Sequence, residues 1–155
     1  MTFVIINEKD YEKTRRAIDK FSSKGKDIIV QGSSIEINRK ILENKKTKAL
    51  ILSHKDKRDR LKQRDSGLNQ VLCKIARDKN KIILIDLKEI IDCRGEEKGQ
   101  VLGRLIQNIM LLKKYNVKTG VINKVGRSNH DIMSLFLTLG ASTKFAKDTA
   151  FRKFP

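Results

Sequence analysis

Runs of consecutive apolar residues recur at residues 3–6, 28–30, 49–52, 82–85 and 120–122, and longer stretches with helical periodicity separate them. A strand that is apolar at every position, not at alternate ones, has to bury both of its faces. Parallel sheets covered by crossover helices do this. The rhythm therefore predicts an α/β fold, a mostly parallel sheet surrounded by helices. Residues 9–22 place Tyr11, Thr14, Ala17, Ile18 and Phe21 on one helical stripe. Residues 67–78 repeat the pattern with Leu68, Val71, Leu72, Ile75 and Ala76, and Asp65 or Ser66 stands ready to cap them. A long helix is expected over 98–115, with a wide apolar face made by Val101, Leu102, Leu105, Ile106, Ile109, Met110 and Leu112. A shorter helix is expected over 34–44, and another begins at Ser128 or Asn129. With 155 residues, a single Pro, no internal repeat and no Gly/Ser linker, the chain reads as one domain, 1–155.

The strand-helix units are too few for a full eightfold barrel, which takes about 250 residues. Polar residues nevertheless collect where the strands end, at Asn7, Gln31, His54, Asp86 and Asn123, and that end is the expected working face. The charge points to what it works on. Lys and Arg number 35 against 18 Asp and Glu, a formal net charge of +17, which calls for a polyanionic partner. Nucleic acid is the first candidate, because each phosphate neutralised by a basic side chain releases condensed counterions.

No apolar run approaches the roughly 20 residues that span a bilayer, and the first residues lack a basic leader followed by an apolar core, so a cytoplasmic protein is expected. Cys73 and Cys93 have no CxxC spacing, which signals neither a disulfide framework nor a zinc knuckle, and Cys73 reads as a small core residue. Two histidines, His54 and His130, lie outside any HxH or HExxH setting, so no metal site is expected. Walker A, GxSxG and GxGxxG signatures are missing too, leaving no catalytic residue to name.

The densest feature is the segment 55–64, with six cations in ten residues directly after a strand and before a helix. Charged runs are often only solvated surface, but a loop at the carboxyl end of a buried strand is where sites gather in parallel α/β folds. In the tail, Lys144, Lys147, Arg152 and Lys153 interleave with Phe145, Phe151 and Phe154, whose expected use is to dock the last helix into the core. Aromatics make up only 5% of the chain, so base stacking looks secondary to phosphate contact.

The segment Arg64-Asp65-Ser66-Gly67-Leu68-Asn69, followed by Val71-Leu72-Cys73-Lys74, resembles the ribonuclease P protein component 3 family. Val30-Gln31-Gly32-Ser33 with Asn38-Arg39, Ile85-Asp86-Leu87-Lys88, Arg127-Ser128-Asn129-His130-Asp131-Ile132 and Leu139-Gly140-Ala141 follow in the family's order. Lys88 stands where the family usually has Arg, and the loop before Arg127 is shorter than usual. The resemblance implies a TIM-barrel-like fold related to the polymerase-histidinol-phosphatase fold but without its metal site. The barrel is expected to be shortened at its N-terminus. It also implies a subunit that acts with protein component 2 to stabilise the ribonuclease P RNA, which itself removes the 5′ leader of precursor tRNA. Magnesium would then sit on the RNA, with no cofactor on this chain and precursor tRNA as an indirect partner. Under that reading Arg64, Lys88, Arg104 and Arg127, assisted by Lys62 and Lys113, lie on RNA phosphates. The competing reading is a metal-dependent phosphoesterase of the related superfamily with His54, Asp86 and His130 as ligands, and a general basic RNA chaperone is a third.

Overall fold

The computed structural model describes residues 2–152. Five strands, β1 (Phe3–Ile6), β2 (Asp27–Gln31), β3 (Thr47–Leu52), β4 (Ile82–Asp86) and β5 (Thr119–Ile122), form one parallel sheet in sequence order. Each strand pairs with the one that follows it in the chain. Right-handed crossovers between such neighbours carry every connecting helix to the same side, and the sheet's twist then curls it toward a barrel. The architecture is α/β and barrel-like, as the sequence rhythm predicts. β1 and β5 are each paired on one side only among the described residues.

Consecutive apolar positions are explained by burial on both faces. Ile28, Val30, Leu50, Leu52 and Ile83 face the helices and join Ile18, Ile41, Leu42, Leu72 and Leu112 in one core cluster. The alternate residues Ile29, Ala49, Ile51, Leu84 and Ile122 gather on the inner face. Cys73 is fully buried in the first cluster, and burial pushes its thiol up to about 12, so it is an inert packing group at neutral pH.

Helices α1 (Tyr11–Ser22), α2 (Ile35–Glu43) and α3 (Gln70–Asp78) precede β2, β3 and β4. α4 (Leu87–Asp92) and α5 (Gly95–Lys114) precede β5, and α6 (Asn129–Thr138) and α7 (Thr143–Phe151) follow it. Ser34 caps α2 by accepting from the Ile37 amide, and Ser128 forms a reciprocal capping box with Asp131 on α6. No helix among the described residues is long and apolar enough to cross a membrane.

Three sequence expectations are corrected. α3 begins at Gln70, with Asn69 as its cap, because Gly67 adopts φ +73° and ends the preceding loop where a helix was expected to start. α4 had no counterpart among the predicted helices, since six residues are too few for a periodic signal. Phe151 is 45% exposed, its ring edge against His130, whereas Phe145 packs into the core as expected. Phe154 and Lys153 lie outside the described residues.

Candidate nucleic-acid interface

The basic segment after β3 is a fastened structure, and its acidic residues do part of the fastening. Glu89, on α4, accepts from the backbone amides of His54 (2.6 Å) and Lys55 (2.5 Å) through one carboxylate oxygen. Arg104, on α5, holds the carbonyls of the same stretch: Nη1 donates to His54 O and Nη2 to Lys57 O, each at 2.9 Å. Nη2 also reaches Asp59 at 3.3 Å. Asp59 in turn accepts from the Asp65 amide, and Asp65 from the Gly67 amide. Asn108 donates to the Ser66 carbonyl, and Asn38 donates to the Gly67 carbonyl while accepting from the Ser33 amide. At the tip, Arg60 and Gln63 exchange both backbone hydrogen bonds, which turns Leu61 and Lys62 outward. Asp59 and Asp65 are thus engaged with backbone and with Arg104, and the cations Arg58, Arg60, Lys62 and Arg64 are left exposed without an ion-pair partner among the described residues.

Electrostatics agree with the geometry. Burial pushes the Glu89 carboxyl up, but the His54 imidazole and the two amides outweigh it and hold it below its ordinary value. The amide of Asp65 and the Arg104 guanidinium likewise lower Asp59. Asn108 Nδ2 lies 3.1 Å from His54 Nε2, so that nitrogen accepts and the imidazole proton belongs on Nδ1. His54 Nδ1 sits 3.8 Å from Glu89, too far for a hydrogen bond.

Of the six cations singled out in the sequence, Lys62 and Arg64 ride on this loop. Arg127 is exposed on the loop after β5, where Asn123 brackets it by accepting from its amide and donating to its carbonyl. Lys88 opens α4 at the carboxyl end of β4, and its amine is engaged with Asp92 at 2.5 Å. Lys113 is not with them. It lines a cleft of about 370 Å3 beside Lys118 and Thr119, at the amino end of β5 and so at the other end of the sheet.

Arg104 has to be withdrawn as a phosphate ligand: it is 3% exposed and its guanidinium already serves two carbonyls and a carboxylate. The expected apolar face of the long helix is rotated accordingly. Val101, Arg104, Leu105, Asn108, Ile109 and Leu112 are buried, while Ile106 and Met110 are 38% and 65% exposed. A stripe running 101, 104, 105, 108 and 112 was readable in the sequence, but it demanded that an Arg and an Asn face inward. Sequence reasoning gave no role to Glu89, Asn38 or Asn108, because their roles lie in contacts 29 to 42 residues away.

The proposed metal ligands do not converge. His54 is fully buried under α5, Asp86 caps α4, and His130 lies exposed against Phe151. No group of three or more His, Cys, Asp or Glu that could hold a metal ion exists among the described residues.

No family model matches the chain. Curated relatives do: a protein of Methanosarcina mazei named ribonuclease P protein component 3 is 33% identical over 132 residues, covering 85% of this chain and 52% of that protein. The protein of the same name from Methanosarcina acetivorans is 36% identical over 110 residues, 71% of this chain and 43% of that one. The chain is a homologue of ribonuclease P protein component 3. It spans about half the length of these relatives. A chain in the cryo-EM structure of archaeal ribonuclease P with mature tRNA has the same fold, with a TM-score of 0.76 and 23% identity, over 94% of this chain and 62% of that one. In this component 3 homologue the segment that carries the family resemblance, Arg64 to Asn69, is the part of the loop that Asn38, Gln107 and Asn108 hold in place.

Proposed function

We propose that this component 3 homologue is a cytoplasmic RNA-binding subunit of ribonuclease P. It grips RNA phosphates with Lys62, Arg64, Lys88 and Arg127, and Lys113 makes a separate contact at the far end of the sheet. The RNA performs the cleavage that removes the 5′ leader from precursor tRNA, with magnesium bound to the RNA. Protein component 2 is the partner expected beside it, and precursor tRNA is engaged through the RNA. What carries the reading is the fastened loop: Asp59 and Asp65 are turned to its own backbone and Arg58, Arg60, Lys62 and Arg64 to solvent, in a chain homologous to component 3. Contacts of this kind position an RNA without reading its sequence.

The direct test is reconstitution. Precursor-tRNA cleavage by ribonuclease P RNA is assayed with and without this chain plus component 2, at a magnesium level where the RNA alone is slow. Acceleration is expected, and cleavage by the protein without RNA would overturn the reading. Replacing Arg64 and Arg127 together by Ala should flatten the dependence of log K on log salt by roughly one unit per lost phosphate contact. An unchanged slope would remove both residues from the interface.

A quieter substitution probes the placement of Arg64. A Cβ on Gly103 would lie 2.6 Å from Arg64 Nη1, the movable end of a flexible side chain. Gly103→Ala should therefore raise stability by about 0.5–1 kcal/mol through helix propensity. The same change displaces the guanidinium and should weaken RNA binding two- to fivefold, as urea titration and RNA-binding isotherms would show together.

A further inference from the structure

A groove between the basic loop, the first turn of α3 and the C-terminal part of α5 holds groups that a grip on phosphates does not use. Its volume is about 570 Å3, larger than that of the clefts beside Lys113 or beside Ser33. Arg58, Arg60 and Arg64 enter it from the loop and Lys114 from α5. Apolar groups stand among them: Val71 and Ile35, 46% and 37% exposed, and the half-buried ring of Tyr115. The Tyr115 hydroxyl donates to Gln70 Oε1 at 3.2 Å, which fixes the ring, and the Lys74 and Lys114 amines lie 5.9 and 5.7 Å from its centroid. The side-chain amide nitrogens of Gln63, Asn69 and Gln70, all in the lining, donate no hydrogen bond among the described residues.

Each of these groups has a counterpart in one ligand class. A half-buried aromatic ring with neighbouring aliphatic side chains offers a surface for a base, free side-chain amide N–H groups match base-edge acceptors, and the cations match flanking phosphates. A duplex cannot use the first, because its bases are already stacked on each other. We infer that this groove takes an unpaired nucleotide of the bound RNA, its base against Tyr115 and Val71 and its phosphates on Arg60, Arg64 and Lys114. The inference rests on the RNA-binding reading above and adds to it a preference for single-stranded RNA.

The test uses the full chain, two charge-neutral disrupting variants and one restoring variant. Tyr115→Leu keeps the apolar packing of a half-buried position and removes the stacking face, and Val71→Ser removes exposed apolar surface from the first turn of α3. Probes are fluorescein-labelled hexauridylate and hexaadenylate, a blunt hexamer duplex and ribonuclease P RNA. Both single strands should bind more tightly than the duplex, and each disrupting variant should weaken their binding by about 5-fold or more, as loss of one stacked base implies. Duplex binding should change less than twofold, the salt slope should stay as it was because no cation is lost, and Tyr115→Phe should restore single-strand affinity.

Wild-type chain that ignores ribonuclease P RNA would sink the function proposed above. Wild-type chain that binds that RNA, with Tyr115→Leu binding it and the hexamers equally well, would sink only the nucleotide groove. Loss of hexamer binding on adding component 2, with the assembled complex indifferent to Tyr115→Leu, would make the groove a protein-docking face and overturn the inference as well.

Discussion

Replacing Arg104 by Met is expected to cost about 2–4 kcal/mol of stability and to release the loop between β3 and α3. Methionine keeps most of the stem that packs between Val101 and Asn108, so the change isolates the guanidinium. Without it the His54 and Lys57 carbonyls lose their donor and Asp59 loses its cation. The His54 residue is fully buried, so water cannot simply replace the missing donor. Urea denaturation measures the loss, and amide exchange over residues 55–66 should speed up more than exchange in the sheet. RNA affinity should fall with the loop, whereas the double change at Arg64 and Arg127 should lower affinity and leave stability within about 0.5 kcal/mol. A loss below about 1 kcal/mol for Arg104→Met would mean that the loop holds its shape without α5.

Glu89→Gln is the companion experiment on the acidic side of the same fastening, and it carries a pH signature. The carboxylate accepts from two backbone amides and is 11% exposed, so weakening it to an amide should cost about 2 kcal/mol at pH 7. Folding lowers the affinity of this carboxyl for its proton relative to the ordinary value of 4.5. The folded state therefore binds fewer protons than the unfolded one across that range, and its stabilisation is complete above the ordinary value. It is lost as pH falls through the lowered, folded value. Stability curves of the parent and Glu89→Gln should run parallel above about pH 5.5 and converge under more acid conditions. Curves that stay parallel down to pH 3 would show that Glu89 is not the group being titrated.

The two substitutions explain why the loop's charge was legible and its shape was not. Six cations in ten residues are a local property, visible wherever they fall in the chain. Which of the neighbouring carboxylates would neutralise them is not local. Asp59 and Asp65 bind backbone of their own loop, and Arg104, met as one more cation on a helix, supplies the donors that hold the loop down. A resemblance in motif order carried Arg104 to the RNA surface; burial removed it.

By itself the sequence determined the sheet. Runs of three or four consecutive apolar side chains are too short for a buried helix and fit a strand buried on both faces, and every one of the five runs became a parallel strand in chain order. It also determined the helix starts at Ser34 and Ser128, because a cap is made with amides two or three residues away. Tertiary structure decided the rotation of α5 and the fastening of the loop. Each depends on a polar partner tens of residues distant, and hydrogen-bond donors and acceptors are matched in space only after the strands have brought their ends together.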